Sequence, residues 1–113
     1  MEITIGDIVL CQFYFSDLSQ SKNRPVLVLK DNLPFDDFIA IPISSQTEKL
    51  HVDELLIDPN DFIKGGVPKN SKLIMRKTFV VSKSVVLKHY GRLSLQAMTQ
   101  VKARFCSYFN CVS

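Results

Sequence analysis

Gly6-Asp7-Ile8-Val9-Leu10-Cys11-Gln12-Phe13-Tyr14-Phe15-Ser16-Asp17-Leu18-Ser19-Gln20-Ser21-Lys22-Asn23-Arg24-Pro25-Val26-Leu27-Val28-Leu29 reads as two apolar strands joined by a polar loop that ends in Arg-Pro. Ile8 to Phe15 and Val26 to Leu29 are rich in β-branched and aromatic residues, and Ser, Asp, Gln, Lys and Asn fill the connection, which is strand and turn chemistry. Gly6-Asp7 is a turn that fixes the start of the first strand. Ile8 to Cys11 are all apolar, so both faces of that strand are covered at one end. Pro25 biases Arg24 toward extended backbone, and the arginine is carried at the loop end on a rigid platform.

Beyond this pair, Phe38 to Ile43 is a third strand containing Pro42. A proline removes a ladder donor, so Pro42 marks an edge, a bulge or the strand's end, just before Ser44-Ser45-Gln46. Gln46 to Asp53 is a polar exposed loop and Leu55 to Ile57 a short strand. Asp61 to Val67, with Gly65-Gly66, reads as a turn of helix ending in a glycine reversal. Lys72 to Arg76, Thr78 to Val81 and Leu87 to Leu93, the last bent at Gly91, are further strands. From an N-cap at Ser94 the period changes: Leu95, Met98, Val101, Phe105 or Cys106 and Phe109 recur at helical spacing. Ser107 to Cys111 reads as a frayed tail. Short strands with one closing helix give a mainly β fold, a small barrel of antiparallel strands with a C-terminal α-helix.

The 113 residues suit one domain spanning 1–113, and 46% hydrophobic content with a net charge of +3 is a folded, not a disordered, composition. The mild basic excess permits an anionic partner without requiring one. Three cysteines, Cys11, Cys106 and Cys111, make neither a disulfide framework nor a zinc pattern and read as free thiols of a reducing compartment. The N-terminal residues are not a leader and no apolar run approaches the ~20 residues that span a bilayer, so a cytoplasmic protein without membrane contact is expected.

There is no HExxH, glycine-rich phosphate loop, dinucleotide fingerprint or Cys/His cluster, so no metal and no cofactor are expected. His51 and His89 are isolated and read as surface or packing residues. What is left for chemistry is an arginine and a hydroxyl. Metal-free acid–base chemistry requires moving a proton and stabilising added charge on an oxyanion. Arginine suits the second task, its planar donors matching two phosphate oxygens, but with a pKa above ~12 it is a poor base.

Gly6-Asp7-Ile8-Val9, Phe13, Phe15, Ser16-Asp17-Leu18 and Lys22-Asn23-Arg24-Pro25-Val26-Leu27-Val28-Leu29 resemble the opening of the MazF/PemK/Kid toxin family, small endoribonucleases of toxin-antitoxin pairs. The resemblance continues in Ile41 to Gln46 and in Ser71 to Lys77 and covers nearly the whole chain. It implies an SH3-like barrel with a C-terminal helix and a metal-independent endoribonuclease that cuts single-stranded RNA at a short sequence, the 2′-OH attacking the phosphate to leave a cyclic phosphate and a 5′-hydroxyl. It implies a homodimer and a cognate antitoxin whose acidic tail covers the RNA groove.

Carried over by resemblance, the catalytic pair falls on Arg24 and Ser44. Many members have Thr at the second position; Ser44 keeps the hydroxyl, and the adjacent Ser45 is the alternative. Asp17 and Gln46 flank the pair and are candidates to orient Arg24 or read a base edge. Phe13, Phe15 and Phe35 are candidates for base stacking, with core packing as the competing reading. Lys22, Lys30, Lys49, Arg76 and Lys77 are candidates for phosphate contact, Arg76 most of all because Ser71 to Arg76 resembles a family strand beside the site. The rival readings on the same fold are a non-catalytic module that poisons gyrase by binding through its C-terminal helix, and a degenerate member that binds RNA or antitoxin without cutting.

Overall fold

The computed structural model describes residues 2–14 and 20–111. Its strands are β1 (Asp7–Tyr14), β2 (Ser21–Lys30), β3 (Asp37–Ser44), β4 (Glu54–Ile57), β5 (Phe62–Gly65), β6 (Ser71–Ile74), β7 (Phe79–Ser82) and β8 (Val86–Leu93), closed by the helix α1 (Leu95–Phe109). They form one curled antiparallel sheet in the order β4-β6-β3-β2-β1-β8-β5, with β7 also paired to β3. This is the mainly β architecture expected, in the form of a half-barrel.

Alternation along the strands builds two cores, because successive side chains leave opposite faces of a pleated sheet. Ile8, Leu27, Ile41 and Leu73 face the helix and pack with Ala97, Met98 and Val101. Val9, Cys11, Val26, Val28, Phe38, Ala40 and Val81 fill the other side. Covering both faces explains the unbroken apolar run at the start of β1. The helix begins where Ser94 Oγ accepts the Ala97 N–H at 3.0 Å. Its buried stripe is Ala97, Met98 and Val101, whereas Leu95, expected on that stripe, is 89% exposed.

Four local readings are corrected. β2 starts at Ser21, so Arg24 lies inside a strand, opposite Cys11 of β1, and not at a loop end. Pro42 sits in a central strand, at the point where one edge of β3 leaves β7 (last pair at Ala40) and takes β6 (first pair at Ile43); the missing donor falls where the ladder is already interrupted. The segment read as a helical turn ending in glycine is β5, preceded by a 3-10 turn at Pro59–Asp61. Gly65 has φ +65° and lies against the Tyr90 carbonyl oxygen, where a Cβ has no room, so the glycine serves the β5–β8 contact instead of a helix end. The expected frayed tail is helical to Phe109 and capped by Asn110 in the left-handed conformation.

Candidate active site in the cleft between two strands

The β2–β3 ladder runs through the pairs Val28 with Ala40, Leu27 with Ile41 and Val26 with Pro42, and stops there. Pro25 has no N–H to offer the next rung, so the strands part. Continuing the same register by two residues on each strand sets Arg24 opposite Ser44. The opening is a cleft of ≈ 310 Å³ whose lining includes Arg24 and Pro25 of β2, Ile43 and Ser44 of β3, and Ser45 and Gln46 beyond it. Val67, Pro68 and Lys69, from the loop between β5 and β6, form another wall, and Leu10, Asn23, Ser71 and Tyr90 complete it.

Two of the thirteen lining residues, Arg24 and Lys69, carry a charge, and none is a carboxylate, imidazole or thiol. Both cations are exposed, and among the described residues no ion pair holds either one. An arginine and a lysine that line one cleft are chemically suited to an anion that approaches both. Ser44 Oγ accepts the Gln46 N–H at 3.1 Å, a turn that fixes the oxygen while the hydroxyl proton stays available to donate.

The loop leaving Ser44 is pinned from beneath by buried charges. Lys72 stands opposite Ser44 in the β3–β6 ladder, and its Nζ donates to the Lys49 carbonyl oxygen at 2.9 Å and to Glu54 Oε1 at 2.8 Å. Glu54 Oε1 also accepts the His51 N–H at 2.9 Å. Burial raises the Glu54 pKa, but the bonds from His51, Lys72 and Arg76 outweigh it and bring the group to about 2. Cys11, paired with Arg24 on the adjacent strand, is fully buried, and burial pushes its thiol up to about 11, so it is inert packing.

The structure thus brings together Arg24, Ser44, Ser45 and Gln46. Lys22 lies two residues before Arg24 and so shares its face of β2, without lining the cleft. Arg76 does not join the cleft: its Nη1 lies 2.8 Å from Asp53 Oδ1 and 3.0 Å from Glu54 Oε2, both buried carboxylates. Lys77 is exposed in the 3-10 turn after β6, at the opposite end of that strand from Ser71, which lines the cleft. Asp17 and Phe15 lie outside the described residues. Phe13 packs against Phe79 at 5.7 Å in the second core, and Phe35 is 93% exposed in the turn between β2 and β3, far along β2 from Arg24. Lys30 and Lys49 are also absent from the lining. Sequence reasoning missed Asn23, Lys69 and Tyr90; the β5–β8 pairing that positions the last two was hidden by the helical reading of Gly65-Gly66.

Among the described residues no group of three or more His, Cys, Asp or Glu side chains is arranged to hold a metal, and no helix is long and apolar enough to cross a membrane. Residues 4–109 match the family model of PemK-like, MazF-like toxins of type II toxin-antitoxin systems. The chain belongs to this toxin family. Among curated proteins none matches the chain significantly. Solved structures of MazF toxins share its fold. The Mycobacterium tuberculosis toxin MazF-mt6 has a TM-score of 0.72 at 18% identity, over 95% of this chain and 99% of that one. A mycobacterial endoribonuclease in complex with its cognate antitoxin has a TM-score of 0.74 at 14% identity, over 99% of each chain. A MazE-MazF structure from Deinococcus radiodurans has 0.76 at 17%, over 96% of each. The PemK/MazF-like fold therefore extends over nearly all of the chain.

Proposed function

We propose that this PemK/MazF-like toxin is a metal-independent endoribonuclease that cuts single-stranded RNA at a short sequence. The observation that carries the reading is the meeting of Arg24 and Ser44 across a cleft whose described lining offers guanidinium, ammonium, hydroxyl and amide donors and no carboxylate. Such a set stabilises charge building on a phosphate. The ribose 2′-oxygen attacks the adjacent phosphorus, the bond to the 5′-oxygen breaks, and a cyclic phosphate and a 5′-hydroxyl are left. Arg24 binds the non-bridging oxygens and assists proton transfer, with the Ser44 hydroxyl as a fixed donor beside it. Lys69 supplies a second positive charge from the facing wall. Gln46 and Asn23 have amides suited to base edges, and Lys22 extends the cationic face.

Family membership supports the remaining parts of the reading: a cytoplasmic homodimer held in check by a cognate antitoxin with an acidic tail. A tail of that charge suits a cleft whose charged lining residues are both cations.

The test is incubation of a long single-stranded RNA with the protein in EDTA, with the fragment ends mapped. Cuts at one recurrent sequence with 2′,3′-cyclic phosphate and 5′-hydroxyl ends are expected. No cleavage by the folded, antitoxin-free protein, or cleavage that needs an added metal, contradicts the reading.

A further inference from the structure

The last turn of α1 ends in a reversal that brings two thiols together. Asn110 is left-handed (φ 56°, ψ 47°), and its N–H is donated to the Cys106 carbonyl oxygen. The next N–H, that of Cys111, reaches the same oxygen at 3.0 Å. A six-to-one bond across a left-handed residue ends a helix so that the side chains at its first and last positions pack on one another. Here both positions are cysteine. Bond lengths on either side of the 3.0 Å contact cap the Cα separation at roughly 7 Å, close to the upper limit a disulfide spans. The Cys106 thiol beside it raises the Cys111 pKa, and both residues are exposed while Cys11 is buried.

We propose that Cys106 and Cys111 are a dithiol site that reacts with peroxide-class oxidants and closes to an intramolecular disulfide, clamping the C-terminal end of α1. The Cys106 thiolate attacks a peroxide oxygen, the O–O bond breaks, and the departing hydroxide takes a proton to become water, leaving a sulfenic acid on Cys106. The Cys111 sulfur then attacks the sulfenic sulfur, the S–O bond breaks, and the oxygen leaves as a second water with the Cys111 proton. Two thiols lose two electrons and two protons, and the peroxide is reduced to two waters. Closure fixes the same helix end that carries a contiguous aromatic cluster, Phe105 with Phe109 at 4.6 Å and Phe109 with Tyr108 at 5.0 Å. The disulfide would therefore set how the half-exposed Tyr108 and Phe109 are presented.

The full chain is titrated with hydrogen peroxide, free thiols are capped with N-ethylmaleimide, and tryptic peptides are weighed. Cleavage after Arg104 leaves both cysteines in one peptide starting at Phe105, and Cys11 in another. Loss of about 2 Da from the Phe105 peptide, with no maleimide on it, is expected, while Cys11 is capped only after denaturation. Asn110→Val keeps both thiols but opposes the left-handed cap, and is expected to slow closure about tenfold. Disulfides between chains, sulfinic acid on Cys106 without closure, or closure of Asn110→Val at the wild-type rate would each overturn the proposal.

Discussion

Arg24 and Ser44 stand at one register of the β2–β3 ladder, two residues beyond its last pair, Val26 with Pro42. The cleft exists because Pro25 cannot donate the next rung. Restoring an N–H there should let the strands zip further and narrow the opening. Pro25→Val is accordingly expected to retain or slightly gain stability in urea unfolding, while RNA cleavage falls by about tenfold to a hundredfold through misplacement of the pair.

Phosphate contacts register in the salt dependence of binding. For a non-cleavable 2′-O-methyl RNA, Arg24→Gln and Lys69→Gln are each expected to reduce the slope of log K against log salt by about 0.7. Arg76→Gln, whose native guanidinium is committed to Asp53 and Glu54, and Lys64→Gln, outside the cleft, should leave the slope unchanged.

Glu54 holds the loop that starts at Ser44, and its role shows in acid. Its carboxyl titrates near 4.5 when unfolded and at about 2 in the fold. Between those values the unfolded chain binds more protons, so stability rises with pH: the contribution is complete above 4.5 and is lost as pH falls toward 2. Asp7 acts in the same sense: burial raises its pKa, but the bonds from Arg92 and the Thr4 N–H, with His89 close by, outweigh it and lower it. Glu54→Ala leaves the buried Lys72 ammonium unpaired and is expected to cost about 3–5 kcal/mol at neutral pH. Urea midpoints from pH 6 to 2.5 should show the gap to wild type closing as the pH falls.

Gly65 is required by geometry. At φ +65° with no room for a Cβ, Gly65→Ala is expected to lower stability by at least about 2 kcal/mol and to reduce cleavage further, since β5 leads into the wall that carries Lys69. Chemical denaturation and cleavage at a temperature where the variant is folded separate the two effects.

The strands around Arg24, the helix cap at Ser94 and the likeness to the toxin family were legible because they rest on local pattern: apolar runs, Arg-Pro, a serine before a helical period. Arg76 was read as an RNA contact because its neighbours in sequence resemble a site strand, whereas its carboxylate partners lie on β4 and the residue before it, distant in sequence. Lys69 and Tyr90 escaped notice because β5 pairs with β8 across a glycine-to-glycine contact (a Cβ on Gly91 would meet the Lys64 carbonyl oxygen at 2.6 Å), and Gly-Gly has no strand signature. Cys106 and Cys111 read as unrelated thiols, because the reversal at Asn110 that joins the Cys111 N–H to the Cys106 carbonyl oxygen has no signature in their spacing.

The most direct test is single-turnover cleavage of one RNA carrying the mapped site by wild type, Arg24→Ala and Arg24→Lys, with folding of each verified. The account predicts a loss of at least about a hundredfold in Arg24→Ala and incomplete recovery in Arg24→Lys, since an ammonium cannot reproduce the planar pair of donors. Cleavage by Arg24→Ala at the wild-type rate and site would contradict it and move the chemistry away from the cleft.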